Sequence, residues 1–238
     1  MITTPATLVH KYDSPSKLVS YVLFQPETTF MFCEGQFVMI EREINGKLVK
    51  KPYSIATTNQ QLQETKQLGV IVKKTSNDGM SDRLTQKIEI GNQVVLKGPA
   101  WHYTDPQTQK NYLLISVGSG LSPNFGLFQH LVNTPTKYDK IVTMFGERYA
   151  SELIPEVQNI FYATASDRIK HLFFLSKETS FPEDYRQGHI QDGLEEAVQF
   201  LGMKTSCFVC GNPIMVNDIV VRLQALWVAR ENIVVEKY

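Results

Sequence analysis

The chain has 238 residues, of which 42% are hydrophobic and 20% charged, and its 24 basic and 24 acidic side chains give a formal net charge of zero. This composition excludes a disordered tail, a collagen-like repeat and a strongly basic nucleic-acid-binding protein. At roughly 100 to 150 residues per domain, the length favours two modest domains, each able to bury its own core.

The hydropathy and the N-terminal residues favour a cytoplasmic protein. No run of the sequence approaches the roughly 20 apolar residues that a membrane-spanning helix needs. Residues 1–12 lack the basic segment followed by an apolar stretch that marks a secretion signal. We therefore expect a cytoplasmic protein that binds neither a membrane nor a nucleic acid, and we also expect a monomer.

The first hundred residues consist of short β-rich runs separated by turn signals. Residues 17–24 form one such run, and residues 35–43 form another that leads into Asn45-Gly46, a pair typical of a tight hairpin turn. Residues 68–74 and 92–98 continue the pattern. Many short strands with little helix indicate a small antiparallel β-barrel, which we place at residues 1–104.

The remaining residues, 105–238, alternate apolar strands with helices. This alternation predicts a parallel sheet with helices on its faces. The last helix is predicted to start with Asn212 as N-cap and Pro213 at its first position. The fold class predicted for the whole chain is thus an antiparallel β-barrel followed by an α/β domain.

The clearest phosphate-binding signal is Gly118-Ser119-Gly120-Leu121-Ser122-Pro123, directly after the apolar strand 112–117. Glycines let a diphosphate approach the backbone, and the free amides at a helix N-terminus favour negative charge. We predict that Ser122 is the N-cap of the following helix and that Pro123 occupies its first position. For so short a motif, a tight turn that binds nothing is the alternative.

A second motif, Lys51-Pro52-Tyr53-Ser54, follows Gly35-Gln36-Phe37 in the barrel half. These residues resemble the ferredoxin–NADP reductase family, whose flavin motif reads Arg-x-Tyr-Ser and is likewise preceded by Gly-Gln-Phe. The resemblance implies that Tyr53 packs on the flavin ring and that the hydroxyl of Ser54 lies beside flavin N5. An aromatic face suits a large apolar ring, and a hydroxyl can both donate to and accept from a ring nitrogen. Standing alone, the pair would be ordinary strand residues.

Further motifs follow in the order that the family shows. The segment 78–84, which begins Asp78-Gly79-Met80-Ser81, is similar to the family's second flavin segment, and Gly98-Pro99 follows it. The segment 209–216, which includes Cys210-Gly211, is similar to the nicotinamide-side segment. The last residues, Glu236-Lys237-Tyr238, match the terminal Glu-x-Tyr of many ferredoxin and flavodoxin reductases. The resemblance therefore spans nearly the whole chain.

The resemblance also implies roles beside the nicotinamide. Cys210 would lie near nicotinamide C4, where a small polarizable group packs without blocking hydride transfer. Tyr238 would shield the flavin face that the nicotinamide must occupy. Glu236 would be a hydrogen-bonding or proton-relay carboxylate near Ser54. The alternative for the last two residues is a frayed C-terminus.

Cysteine and histidine usage predicts no metal site. Three cysteines cannot supply the four ligands of an iron–sulfur cluster, and the five histidines show no spacing typical of metal ligands. Cys207 and Cys210 form a CxxC pattern, which in other proteins marks zinc sites and redox pairs. Both lie in an apolar run predicted to be a strand, where side chains three residues apart point to opposite faces. Their sulfur atoms should therefore diverge.

For the adenosine end of the nucleotide, the resemblance places the 2′-phosphate of NADPH at Arg148, Ser176 and Lys177, with Arg186 as a further contact. A cation and a hydroxyl at the end of a strand suit a dianionic phosphate. A solvated surface charge is the alternative for each cation. We therefore expect NADPH to be preferred over NADH.

The sequence thus predicts an FAD-dependent oxidoreductase that transfers hydride between NADPH and the flavin. Single electrons would pass to or from a ferredoxin or flavodoxin. The candidate catalytic residues are Ser54, Cys210, Glu236 and Tyr238. The candidate cofactor-binding residues are Lys51, Pro52, Tyr53, Ser54, Val72, Gly79, Met80, Ser81, Gly118, Ser119, Gly120, Pro123, Arg148, Ser176, Lys177, Arg186, Gly211 and Tyr238.

Charge and alternative functions complete the prediction. An acidic electron-transfer partner could be steered to the barrel half by its lysines, among them Lys47, Lys50, Lys73, Lys74 and Lys87. One alternative is the reductase component of an oxygenase, or a flavin reductase that releases its product. An alternative of another class is a non-catalytic nucleotide-binding subunit of a larger complex.

Overall fold

The computed structural model describes residues 1–100, 109–180 and 183–238. Within them the chain forms one antiparallel and one parallel sheet, each of six strands. The predicted fold class is confirmed. The predicted domain boundary at residues 104/105 lies outside the described residues and stays a prediction. No helix in the described parts of the chain is long and apolar enough to cross a bilayer.

The elements follow one another in two blocks, strand-rich and then alternating. The strands are β1 (Ile2–Asp13), β2 (Val19–Pro26), β3 (Phe37–Ile44), β4 (Lys47–Ser54), β5 (Leu68–Lys73), β6 (Gln93–Ala100), β7 (Asn111–Val117), β8 (Lys140–Glu147), β9 (Ile169–Leu175), β10 (Tyr185–Gln187), β11 (Thr205–Gly211) and β12 (Ile233–Lys237). The helices are α1 (Asn59–Thr65), α2 (Met80–Asp82), α3 (Leu121–Asn133), α4 (Pro155–Thr164), α5 (Leu194–Leu201) and α6 (Pro213–Ala225). Short 3₁₀ turns lie at Gly118–Gly120, Ala150–Glu152, Ile190–Gly193 and Arg230–Asn232, and a π-helical turn, Arg83–Lys87, continues α2.

The antiparallel sheet has the strand order β4-β3-β6-β1-β2-β5. Its two edges meet where Ile55, just after β4, pairs with Val70 of β5, so the sheet closes into a barrel. The predicted hairpin turn is confirmed, because Asn45 and Gly46 have φ values of 52° and 75°, the positive values that a type I′ turn requires. Apolar side chains fill the interior, among them Leu8, Val22, Phe24, Val38, Ile40, Leu68 and Leu96.

The parallel sheet has the order β10-β9-β8-β7-β11-β12. From β7 the chain moves outward through β8, β9 and β10, and it then returns to the other side of β7 to form β11. The strand order therefore reverses between β7 and β11. In open α/β sheets such a reversal leaves a crevice at the carboxyl ends of the strands, where ligands bind.

Helices cover both faces of the parallel sheet. On one face, α3 and α4 contribute Phe125 and Phe161 to a core that also contains Tyr21 and Ile71 of the barrel. The rings of Tyr21 and Phe125 meet edge to face, with centroids 5.9 Å apart. On the other face, α5 and α6 pack over a separate core. One of the hydrophobic cores thus spans the seam between the barrel and the α/β half.

The start of α6 agrees with the prediction. The side chain of Asn212 is the N-cap and accepts a hydrogen bond from the backbone N–H of Met215 at 3.0 Å. Pro213 occupies the first helical position, where its missing N–H costs nothing. The capped helix begins directly at the carboxyl end of β11.

The predicted start of α3 is wrong. The helix begins at Leu121, directly after the 3₁₀ turn, so Ser122 is not its N-cap and Pro123 is not its first residue. The hydroxyl of Ser122 instead donates to the carbonyl of Ser54 at 2.6 Å and accepts from the N–H of Ile71 at 2.9 Å. Ser122 cannot cap its own helix because its hydroxyl is engaged by two barrel strands.

Candidate functional site

A cavity of about 570 Å³ lies between the barrel and the parallel sheet. We call it the flavin-side cavity. Its volume is within the range of ligand-binding clefts, roughly 300–1,000 Å³. All four candidate catalytic residues line it. Of the other candidates, it is lined by Lys51, Pro52, Tyr53, Val72, Gly79, Met80, Ser81, Ser119 and Pro123.

Strand β4 forms the barrel wall of this cavity. Lys51 and Tyr53 lie two residues apart and therefore on the same face of the strand. Tyr53 is half-buried, and burial raises the pKa of its hydroxyl, so the ring stays neutral. Lys51 is exposed and also lines the cavity. A flat aromatic ring with a cation beside it matches an apolar ring system that carries a phosphate tail.

Ser54, Cys210 and Glu236 form one hydrogen-bonded group in the cavity. The hydroxyl of Ser54 donates to Oε1 of Glu236 at 3.2 Å, and the thiol of Cys210 donates to Oε2 at 3.7 Å. Burial raises the pKa of Glu236 above its ordinary value. Glu236 therefore joins a barrel residue to a residue of the parallel sheet.

Strand pairing explains why these residues meet. Strand β12 runs parallel to β11, and the register places Glu236 next to Cys210. The alternative of a frayed C-terminus does not hold, because residues up to Lys237 belong to the sheet. Burial, followed by the nearby Glu236 carboxylate, raises the pKa of the Cys210 thiol well above its ordinary value. The thiol is therefore protonated and acts as a small packing group and a hydrogen-bond donor.

The two cysteines of the CxxC pattern diverge as predicted. Cys210 belongs to the core beneath α3, whereas Cys207 belongs to the core beneath α5 and α6. They lie on opposite faces of β11. Neither a shared metal ion nor a disulfide fits this placement.

The glycine loop lies at the reversal point of the parallel sheet. Gly118 has a φ of +56°, a conformation that side chains rarely adopt. A Cβ atom at position 120 would lie 2.4 Å from the carbonyl oxygen of Cys210, so only glycine fits there. Gly120 thus brings the loop backbone against the end of β11, and the neighbouring Ser119 lines the flavin-side cavity.

Tyr238 lies across the glycine loop. Its hydroxyl accepts a hydrogen bond from the N–H of Gly120 at 2.9 Å and donates one to the carbonyl of Val117. Its backbone N–H donates to the carbonyl of Gly211 at 3.4 Å. Burial raises the pKa of the Tyr238 hydroxyl. Its side chain therefore covers the loop as a neutral hydrogen-bonding group.

A second cavity, of about 470 Å³, extends along the carboxyl ends of the parallel strands. We call it the nucleotide-side cavity. Tyr238 and Lys73 line both cavities and separate them. Of the residues predicted to bind the nucleotide, Gly118, Arg148 and Ser176 line the nucleotide-side cavity.

Lys177 and Arg186 do not line either cavity. The guanidinium of Arg186 pairs with Glu196 on the surface at 2.5 Å. The backbone N–H of Lys177 donates to the carbonyl of Arg148, which holds the loop after β9 against the loop after β8. Ser176 and Arg148 are thus the two candidates for the adenosine end that the fold brings to the cavity.

A buried charge cluster, which the sequence did not predict, adjoins both cavities. The ammonium of Lys73 lies 2.5 Å from Glu147 and 2.9 Å from Glu152, and Arg148 lies 2.6 Å from Glu152. The side chains of both glutamates are only 2% exposed. Burial raises the pKa of Glu147. Burial also acts to raise the pKa of Glu152, but the hydrogen bonds that Glu152 makes outweigh this effect and lower its pKa. Lys73 and Glu147 lie 74 residues apart in sequence, so no local pattern reveals the pair.

Two family models match the chain. Residues 9–104 match the oxidoreductase FAD-binding domain, and residues 114–220 match the oxidoreductase NAD-binding domain. A ferredoxin–NADP reductase of Azotobacter vinelandii is 31% identical over 140 residues, which cover 55% of this chain and 51% of that protein. NADH-cytochrome b5 reductase 1 of Eremothecium gossypii is 23% identical over 77% of this chain and 64% of its own length. The chain thus spans about half to two thirds of these curated relatives.

Solved structures share the fold over nearly the whole chain. The crystal structure of a ferredoxin NADP+ reductase from Neisseria gonorrhoeae with bound FAD and NADP superposes with a TM-score of 0.84 and 15% identity, covering 99% of this chain and 98% of that one. An Amycolatopsis cytochrome P450 reductase superposes with a TM-score of 0.83 and 24% identity, covering 99% of this chain and 69% of that one. At these identities the likeness shows the fold alone.

Proposed function

The chain belongs to the ferredoxin–NADP reductase family, with an FAD-binding domain followed by an NAD-binding domain, and we propose that it transfers hydride between NADPH and FAD and exchanges single electrons with a ferredoxin or flavodoxin. The observation that carries the proposal is the group formed by Ser54, Glu236 and Cys210 in the cavity between the two halves. A site for hydride transfer needs polar groups held in a cleft that both cofactors reach, and the position of this group between the two halves supports such a role.

The residues that line the flavin-side cavity suit FAD in their chemistry. Tyr53 offers a neutral ring for the flavin to pack on, and Lys51 offers a cation for the diphosphate. Bound there, FAD would supply the conversion between a two-electron hydride and single electrons. The side chains supply position and polarity around it.

The residues of the chain have distinct tasks in this proposal. The Ser54 hydroxyl donates a hydrogen bond in the cavity, and Glu236 fixes its direction by accepting from it. Cys210 packs against the reacting rings without taking charge, since its thiol stays protonated. The ring of Tyr238 covers the position between the two cavities until a nicotinamide replaces it.

NADPH is the proposed nucleotide, and Ser176 and Arg148 support it at the adenosine end. Arg148 is already paired with Glu152, so a 2′-phosphate has to share or replace that carboxylate. Catalytic efficiencies for NADPH and NADH, measured side by side, test this choice. Equal efficiency with the two nucleotides overturns the preference.

The proposed acceptor rests on the ferredoxin–NADP reductases among the relatives. A second candidate is a haem protein or an oxygenase component, because the relatives also include NADH-cytochrome b5 reductases and a glycine betaine monooxygenase reductase subunit. Rates of reduction of a ferredoxin, a flavodoxin and cytochrome b5 by the same enzyme distinguish these acceptors.

A visible spectrum of the purified protein, before and after anaerobic NADPH, tests the core of the proposal. We expect the absorption of a bound flavin and its bleaching by the nucleotide. A colourless protein that does not take up added FAD, or a flavin that NADPH leaves oxidised, contradicts the proposal and favours a non-catalytic nucleotide-binding subunit. Loss of the flavin during gel filtration favours a flavin reductase.

A further inference from the structure

The charge cluster joins the two halves of the molecule at the point where the two cavities meet. Lys73 is the last residue of β5 in the barrel, and Glu147 is the last residue of β8 in the parallel sheet. Their ion pair, at 2.5 Å, therefore crosses the seam. Among the residues that the structure describes, Lys73 and Tyr238 are the two that line both cavities.

The ammonium of Lys73 lies against the glycine loop. A Cβ atom built on Gly118 would lie 3.4 Å from Cδ and 3.8 Å from Nζ of Lys73. In this position the lysine would be a natural partner for a diphosphate at the loop. However, the Lys73 ammonium is already paired with the carboxyl groups of Glu147 and Glu152.

The cluster contains two carboxylates and two cations, and one of its carboxylate oxygens accepts no hydrogen bond from the part of the chain that the structure describes. Arg148 and Lys73 both bind Glu152, whereas Glu147 is held by Lys73 alone among the two cations. Oε1 of Glu147 is buried, and none of the described residues donates a hydrogen bond to it. Burying an ionised carboxylate oxygen without a hydrogen-bond donor costs free energy. Glu147 is therefore the carboxylate of the cluster that takes up a proton most readily. Glu147 also lines the nucleotide-side cavity.

We propose that Glu147 competes with the diphosphate of the nucleotide for Lys73, so that the dinucleotide binds together with one proton that neutralises Glu147. The incoming diphosphate takes the Lys73 ammonium, and the carboxylate left behind accepts the proton from solvent. Glu147 is thus a positioning residue that sets nucleotide affinity through Lys73. The inference rests on the proposed nucleotide binding and deepens it.

Other charged or titratable groups face Glu147, and their effects on binding have to be distinguished from the effect of Glu147. Lys73 approaches from β5, Glu152 and Arg148 from the loop after β8, and Tyr238 from the chain end. His189 lines the same cavity from the turn before α5. Nucleotide phosphates change their protonation near pH 6. Measurements between about pH 7.5 and 9.5 lie above that range, and single variants assign the remaining effect.

The test is calorimetric titration of the FAD-loaded protein with NADP+, which binds without reaction. Repeating the titration in buffers of different ionisation enthalpy counts the protons taken up. We expect proton uptake and a dissociation constant that rises by up to about tenfold per pH unit once Glu147 ionises. In Glu147→Gln we expect no proton uptake, no dependence on pH, and tighter binding than in the original protein at the alkaline end.

Two further variants give the inference its control. Lys73→Met should weaken binding, and adding Glu147→Gln to it should bring no gain, because the residue for which both groups compete is gone. Glu41→Gln removes a carboxylate that pairs with Lys50 at 3.0 Å outside both cavities, and it should keep the original pH dependence. If NADP+ binds tightly without proton uptake, or if proton uptake persists in Glu147→Gln, the inference is wrong. The proposed function is not affected by either result. Absence of any NADP+ or NADH binding to the loaded protein overturns the proposed function as well.

Discussion

The hydroxyl of Tyr238 accepts a hydrogen bond from the backbone N–H of Gly120 at 2.9 Å. The amides of a glycine loop at a helix start are the groups that bind phosphate in dinucleotide-binding folds. The last side chain of the chain therefore occupies an amide of the loop that the nucleotide would use. A tyrosine in this position has two effects, since its ring covers the cavity and its hydroxyl satisfies the loop.

Removing the hydroxyl of Tyr238 should strengthen nucleotide binding. In Tyr238→Phe the ring remains, but the hydrogen bonds of the hydroxyl to Gly120 and Val117 are lost. A nucleotide that binds at the loop then has no hydrogen bonds to break. A hydrogen bond is worth about 0.5–1.5 kcal/mol net, which corresponds to roughly a two- to tenfold lower dissociation constant. Spectral titration of the flavin with NADP+ measures it. Tyr162→Phe loses a hydroxyl contact to Tyr185 outside both cavities and should leave affinity unchanged.

Removing the ring as well should strengthen binding further. Tyr238→Ser opens the position that the nicotinamide is proposed to occupy, and ring contacts contribute about 0.5–1.5 kcal/mol beyond burial. We expect Tyr238→Ser to bind NADP+ more tightly than Tyr238→Phe does. The same affinity in both variants would show that the ring is no barrier to the nucleotide.

Glu236 should give the rate of flavin reduction an acidic limb. Burial raises its pKa, so as the pH falls it takes up a proton earlier than a free carboxyl would, and it then accepts less well from Ser54 and Cys210. We expect the rate with NADPH, followed by stopped-flow absorbance, to fall toward acid pH. In Glu236→Gln the rate should be lower, by about tenfold or more, and the limb should disappear.

A surface carboxylate provides the matched control for this experiment. Glu156 is exposed at the start of α4 and lines neither cavity. Glu156→Gln should keep both the rate and the acidic limb. An unchanged limb in Glu236→Gln would remove Glu236 from the hydride step.

The parts of the site that the sequence predicted are those with local signals. Tyr53-Ser54, the glycine loop and the capped start at Asn212 each depend on a few adjacent residues. The fold brings Tyr53, Ser54 and Ser119 to the flavin-side cavity and caps α6 with Asn212. Short β-rich runs between turn signals predicted the barrel, and apolar strands alternating with helices predicted the parallel sheet. The terminal Glu-x-Tyr could be placed only through the family resemblance, because its position depends on the register of β12 against β11.

The parts that the sequence could not predict depend on contacts between distant segments. Ser122 has the residue type of a helix cap, yet tertiary partners 68 and 51 residues away take its hydroxyl. The lysines that were predicted to attract an acidic partner also have tertiary contacts that the sequence does not reveal. Carboxylates lie within ion-pair distance of Lys50, Lys73, Lys74 and Lys87. Counting lysines along the chain therefore overstates the positive field that a partner would meet.

Ser122 should stabilise the seam between the two halves. Its hydroxyl is buried and satisfies the carbonyl of Ser54 and the N–H of Ile71 at once. Ser122→Ala leaves both backbone groups buried without this partner, which costs about 1–3 kcal/mol. We expect a melting temperature several degrees lower. Ser180→Ala, at an exposed position, should have the melting temperature of the original protein. If Ser122→Ala also has that melting temperature, the hydrogen bonds of Ser122 do not stabilise the seam.

His171 lies in an aromatic cluster where a charged ring is unfavourable. Its ring centroid is 5.4 Å from that of Phe128 and 5.1 Å from that of Phe161. The hydroxyls of Thr143 and Thr164 contact its two ring nitrogens at 2.7 Å and 3.3 Å. Burial lowers the pKa of His171 to about 4. The folded protein therefore holds a neutral imidazole here at neutral pH.

This neutral ring should make the protein lose stability in mild acid. The unfolded chain binds a proton at this histidine below about pH 6.5, whereas the folded chain does so only near its lowered pKa of about 4. Stability should therefore fall as the pH drops from 6.5 to 4, by up to about 3 kcal/mol, and level off below. Chemical unfolding at a series of pH values measures the slope. His171→Gln should flatten the slope, and His10→Gln, at an exposed site, should retain it. If His171→Gln keeps the full slope, the acid sensitivity arises elsewhere in the protein.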